Sequence, residues 1–97
     1  MKKQILLTAI ILISLPASSQ AAPESICAAA YDIAEFAMSR VQSELPKEPI
    51  LSLVGRDNFM RMVVEQAYSQ PVASDDDTKL AVVNAFSQNV YRGCLGK

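Results

Sequence analysis

The side chains of this chain that could do chemistry are mainly carboxylates. Asp32 and Glu35 lie one helical turn apart, the spacing of paired carboxylates in general acid–base catalysis. The run Asp75-Asp76-Asp77 could suggest a calcium site, but it lacks the spacing, glycine and distal glutamate of an EF-hand. That run suits the start of a helix, and Asp32 and Glu35 fall on the polar face of another. We therefore predict no catalytic pair and no metal site.

The composition excludes further classes of chemistry. The 97 residues include no histidine and only two cysteines. Nucleophile–histidine systems and histidine-ligated metals are therefore excluded, and two thiolates cannot complete a structural zinc site. Nine basic residues against ten acidic ones make electrostatic binding of nucleic acid unfavourable. We predict that the protein is not an enzyme, needs no cofactor and does not bind nucleic acid.

The N-terminus has the pattern of a bacterial secretory signal peptide. Lys2 and Lys3 precede an apolar run, and small residues end at Ala21. The run is about half the ~20 residues that a membrane span requires. We predict cleavage after Ala21, which leaves residues 22–97 as a single periplasmic or secreted domain without a membrane span.

The two cysteines lie at opposite ends of that domain. Cys27 and Cys94 are far apart in sequence, with neither a Cys-x-x-Cys motif nor an activating histidine nearby. Export would place them where disulfides form and persist. We predict a structural Cys27–Cys94 disulfide rather than a redox or catalytic pair.

The hydrophobic spacing predicts an all-α domain. A first helix should cover Pro23 to Leu45, buried over much of its circumference, with apolar positions at Ile26, Ala30, Ile33, Ala37 and Val41, and at Cys27, Tyr31, Ala34, Met38 and Leu45. Its narrow polar face should comprise Asp32, Glu35, Ser39 and Gln42.

Two further helices complete the predicted bundle. The next should run from about Asp57 to Ser69, with Phe59, Met60, Val63, Val64 and Ala67 facing inward. The last should begin with Ser74 as cap, end near Gly93 or Gly96, and carry Leu80, Val83, Phe86, Val90 and Cys94 inward.

The segment from Pro46 to Gly55 has two interpretations. It is either an apolar linker or a helical turn ended by Gly55, so the disulfide-closed bundle has three helices or four. A first helix of ~30 Å would separate the cysteines in a simple up-down-up bundle. Either the segment returns along the bundle, which ten extended residues could do, or the helices cross steeply.

Four side chains are candidates for contact with a partner. Met62 points away from the inward stripe of its helix, and flexible methionines form adaptable surfaces. Tyr31, Tyr68 and Tyr91 combine apolar rings with polar tips, as residues at the edges of protein interfaces often do. Core packing and scattered placement are the simpler interpretations of the methionine and the tyrosines.

Four sequence blocks carry a resemblance. The chain resembles a group of uncharacterised small exported proteobacterial proteins in its layout of Cys27, Met38-Ser39-Arg40, Ala67-Tyr68-Ser69-Gln70-Pro71 and Phe86 through Tyr91 to Cys94. The resemblance implies a helical domain closed by a disulfide and supplies no activity. In architecture the chain is also similar to periplasmic immunity proteins and to HdeA-like acid-stress chaperones.

Two functions fit these features. The first is a protein-binding module of the inhibitor, immunity or envelope-adaptor type, with a protein as its partner. The alternative is an acid-stress chaperone, since ten carboxylates would lose their charge below about pH 4.

Overall fold

The computed structural model describes residues 22–96, which form four α-helices and no β-strand. The helices are α1 (Glu24–Gln42), α2 (Glu48–Val54), α3 (Asn58–Tyr68) and α4 (Asp76–Leu95). The predicted all-α, disulfide-closed bundle is confirmed, and the segment before Gly55 proves to be a helix. The predicted signal peptide, residues 1–21, lies outside the described residues.

The central helix is α1, which packs most extensively against α4 and next against α3. Glu24 in its first turn and Arg40 in its last turn both complement the helix dipole. Ala30, Ala34 and Ala37 are fully buried. Their small side chains allow neighbouring helices to approach α1 closely, as the run of alanines in the sequence suggests.

The burial of α1 is less complete than its apolar pattern predicts. Ile26 and Leu45 were both expected to face inward, yet they are 45% and 44% exposed. Leu45 lies beyond the end of the helix, and Ile26 lies at the edge of the buried face. Phe36 is also 46% exposed, beneath the Arg40 guanidinium.

Gln42 was predicted on the polar face and is instead buried. Its amide nitrogen donates to the Pro71 carbonyl at 3.0 Å, and its amide oxygen accepts from the Ala73 backbone at 2.8 Å. One side chain thus satisfies a donor and an acceptor in the connection between α3 and α4. This pairing explains how a polar residue is tolerated in the core.

Helix α2 ends where Gly55 adopts a φ of 62° and a ψ of −128°. A Cβ atom at position 55 would meet no other atom within 4 Å, so the backbone conformation alone favours glycine there. Asp57 then starts α3, since its carboxylate accepts from the Met60 backbone at 3.0 Å. The break between α2 and α3 excludes one continuous helix through this region.

The topology brings the cysteines together without a long extended connection. The Tyr68 hydroxyl at the end of α3 donates to the Leu45 carbonyl just after α1, so both helices finish at the same end of the bundle. Helix α3 has 11 residues and spans only ~16 Å. The connection through α2 therefore has less distance to cover than the ~30 Å expected, and α4 then returns antiparallel to α1.

Helix α4 begins one residue later than predicted. Asp75, and not Ser74, is its cap: the Asp75 carboxylate accepts from the Thr78 backbone at 3.0 Å and from the Thr78 hydroxyl at 2.7 Å. Leu80 was predicted inward and is 62% exposed, because it lies at the edge of the buried face and the core ends at Val83. Gly96 caps the C-terminus with a φ of 83°.

We expect Asp75→Ala to lower the melting temperature by several degrees at neutral pH, whereas Asp75→Asn should retain stability because asparagine caps helices equally well. The side-chain and backbone hydrogen bonds from Thr78 lower the pKa of Asp75 below 3.8. The charged cap therefore contributes fully above about pH 4 and is lost as the pH falls through the folded-state pKa. Thermal unfolding of the three proteins at several pH values measures this. A difference between wild type and Asp75→Ala that remained unchanged at about pH 2 would contradict it.

Candidate functional site

The disulfide fixes the paired ends of α1 and α4. Cys27 and Cys94 are bonded, with their Cα atoms 5.5 Å apart, as predicted. Both are buried, and the Ala22 backbone N–H donates to the Cys94 carbonyl at 3.2 Å. The disulfide therefore limits the relative movement of side chains on neighbouring turns of the two helices.

Two tyrosines meet beside this disulfide. The rings of Tyr31 on α1 and Tyr91 on α4 lie edge to face, with centroids 6.0 Å apart and an interplanar angle of 80°. Both side chains are half-buried, so part of each remains accessible. This arrangement is a favoured one for aromatic pairs and stabilises the packing of α1 on α4.

The Tyr91 hydroxyl donates a hydrogen bond to the Glu24 carboxylate at 3.3 Å. Partial burial, and then the neighbouring negative charge of Glu24, raise the pKa of the Tyr91 hydroxyl above its usual 10.0. Tyr91 is consequently neutral at physiological pH, and its proton is directed toward α1. The aromatic pair is thus fixed by ring packing and by this hydrogen bond.

A small groove opens to solvent beside the aromatic pair, with a volume of about 280 Å³. It is lined by Ala28, Tyr31, Asp32, Gln88 and Tyr91. Its wall therefore combines two aromatic rings, one carboxylate, one amide and one small side chain. Asp32, which the sequence suggested only as half of a catalytic pair, lines this groove, and Glu35 does not.

A second, broader depression of about 490 Å³ lies on the adjoining face of α4. It is lined by Ala81, Asn84, Ala85, Gln88, Asn89 and Arg92. Because Gln88 lines both depressions, they form one continuous area, which we call the α1–α4 surface. It consists of the residues lining the groove and those lining the α4 depression.

The sequence-predicted contact residues divide between two regions. Tyr31 and Tyr91 lie together on the α1–α4 surface, whereas Tyr68 and Met62 lie on α3 and line neither depression. Tyr68 is used structurally, through its bond to the Leu45 carbonyl, and Met62 is half-buried. The role of all four in binding a partner stays a prediction.

The amide and alanine face of α4 was missed from the sequence. Ala81, Ala85, Gln88 and Arg92 recur at helical spacing and share one side of the helix. Their common feature is the lack of large apolar side chains on an exposed helix face. That periodic pattern was available in the sequence, but its continuity with Tyr31 depends on the pairing of α1 with α4.

The carboxylates form no cluster suited to a metal. Within residues 22–96, no group of three or more Asp, Glu, Cys or His side chains could hold an ion. All ten Asp and Glu side chains are exposed to solvent. Asp75 is engaged by Thr78, and Glu65 forms an ion pair with Lys47 at 2.6 Å.

No helix between residues 22 and 96 is both long and apolar enough to cross a membrane. Comparison of the chain with protein-family models, curated proteins and solved structures finds no match.

Proposed function

We propose that this chain is an exported, non-enzymatic protein that binds another protein through the α1–α4 surface, as an inhibitor, immunity protein or envelope adaptor would. The observation that carries the proposal is the continuity of the Tyr31–Tyr91 pair with the amide-rich face of α4. The disulfide supports export, because such bonds persist in oxidising compartments.

The composition of the α1–α4 surface suits protein recognition. Tyrosine and arginine are enriched among residues that dominate binding energies, and asparagine supplies adaptable hydrogen bonds. The residues of the type that dominates binding energies are Tyr31, Tyr91 and Arg92. The adaptable hydrogen bonds would come from Asn84 and Asn89. The alanines between them leave the helix backbone accessible to a partner.

The α1–α4 surface is already partly ordered before a partner binds, and this order lowers the entropy cost of binding. Ring packing and the bond to Glu24 restrict Tyr91, so less side-chain entropy remains to be lost when a partner docks. The disulfide likewise limits relative movement of the two helices that carry the surface.

The structure gives less support to an acid-stress chaperone. The buried polar residues between positions 22 and 96 are Gln42 and Ser87, neither of which titrates. Protonation of the exposed carboxylates in acid would raise the net charge but would leave the core contacts in place. Acid is therefore expected to weaken surface contacts such as the Asp75 cap and to leave the core packed.

The proposal predicts one dominant partner at neutral pH. The oxidised, tagged protein would be crosslinked mildly in an envelope extract and captured at about pH 7 and about pH 3. We expect a single protein in near-equal amount to the bait at neutral pH. A broad set of unrelated proteins that grows at acid pH would contradict the proposal and favour the chaperone.

A further inference from the structure

We propose that the groove beside the Tyr31–Tyr91 pair receives a basic side chain of the partner protein, and that this side chain is an arginine. The inference rests on the proposed function and specifies the partner chemistry at one place on the α1–α4 surface. It follows from the shape of the groove, its aromatic walls and the charges around it.

The groove has the size for one side chain. Its volume of about 280 Å³ falls at or below the lower limit of ~300 Å³ for pockets that enclose small-molecule ligands. A single long side chain inserted from a docked protein can be accommodated in it. The remaining contacts would be supplied by the neighbouring α4 depression.

The lining residues favour a cation with a flat shape. Tyrosine rings attract cations that lie over their faces, and Asp32 offers a carboxylate beside them. The Gln88 side chain adds an amide oxygen, which can accept a hydrogen bond. A guanidinium can stack on an aromatic ring while donating to a carboxylate, and this combination favours arginine over lysine.

The charges around the groove have the complementary sign. Glu24 and Asp32 are both exposed on α1: Asp32 lines the groove, and Glu24 bonds the Tyr91 hydroxyl beside it. The nearest basic residue along α4 is Arg92, which lines the other depression and not the groove. The local field therefore attracts a basic partner residue.

The test uses N-acetyl-arginine amide as the probe. It would be titrated into the oxidised, isotope-labelled protein and followed by two-dimensional NMR of the backbone amides. We expect saturable shifts confined to the residues that line the groove. The uncharged N-acetyl-glutamine amide should cause no such shifts, and tetramethylammonium should bind more weakly than the arginine probe.

Two variants separate the groove from general electrostatic attraction. Asp32→Asn and Glu35→Gln each remove one exposed negative charge from α1, but only Asp32 lines the groove. We expect Asp32→Asn to weaken probe binding about two- to fivefold, as loss of an exposed ion pair does. Glu35→Gln should leave the affinity unchanged.

The inference is overturned if both variants weaken binding equally, if the glutamine probe binds as well as the arginine probe, or if the groove amides do not shift. Tighter binding of tetramethylammonium would also overturn it, since that result would indicate a site for quaternary amines. None of these results would abolish capture of a protein partner, so failure here is distinguishable from failure of the proposed function.

Discussion

Reduction of the Cys27–Cys94 disulfide should lower the melting temperature by about 15–30 °C. The bond joins residues separated by 67 positions, so it restricts nearly the whole unfolded domain. In the chain-entropy model a loop of that length contributes about 4 kcal/mol to the free energy of unfolding. This is close to the entire net stability that so small a single core supplies.

Thermal unfolding with and without reductant measures the effect. A Cys27→Ala/Cys94→Ala variant should match the reduced wild type and should not respond to reductant. A shift of less than about 5 °C would contradict the expectation. It would mean that packing between α1 and α4 is sufficient to hold the fold.

Replacement of Phe86 by alanine should cost about 3–5 kcal/mol in the free energy of unfolding. Phe86 is only 1% exposed and is the largest fully buried side chain in the described core. Its removal would leave a cavity in a core cluster that also contains Ala30, Ala34 and Ala37, whose side chains are too small to fill it. Because the whole domain has little stability to lose, the variant should be largely unfolded near 37 °C.

Phe36→Ala provides the matched control, since Phe36 is 46% exposed on α1. The same change in side-chain volume should there alter the free energy of unfolding by less than about 1 kcal/mol. Urea unfolding of both variants measures the difference. Equal destabilisation of the two would show that the core does not centre on Phe86.

Much of the fold was predictable because the apolar pattern of a helix involves residues that are close in sequence. Apolar residues at helical spacing identified α1, α3 and α4. The turn residues between these apolar patterns indicated where most of the helices begin and end. The cysteines required the first and last helices to meet at one end. These features depend on residues close in sequence or on one covalent bond.

The wrong predictions concern side chains whose burial depends on contacts with residues that are distant in sequence. Gln42 has the polarity of a surface residue, and only the backbone of Pro71 and Ala73, about thirty positions away, makes its burial favourable. Leu80 has the polarity of a core residue, but the core ends at Val83. The periodicity of apolar residues predicts the side of a helix on which a side chain lies. It does not predict which other part of the chain packs against that side.

The candidate site was predictable in part for the same reason. Tyr31 and Tyr91 were identified by their type, but their contact follows from the antiparallel pairing of α1 and α4. Tyr68 shares that chemistry and serves instead to hold the turn after α1. The amide side chains of α4 become part of a candidate binding surface only because they lie beside the tyrosine pair.

The most direct test of binding through the α1–α4 surface compares Ala85→Arg with Ala29→Arg. Both alanines are exposed on helices, and arginine is a good helix former, so both variants should fold. Ala85 lies within the α4 depression, whereas Ala29 lines neither the groove nor the depression. Affinity for the captured partner would be measured by calorimetry, with equal melting temperatures as the check on folding.

We expect Ala85→Arg to weaken the affinity for the partner at least tenfold, because the bulky charged side chain obstructs docking, and Ala29→Arg to change it less than about twofold. The reverse order would contradict binding at the α1–α4 surface. It would place the partner on the other side of α1, where Ile26 and Phe36 are exposed.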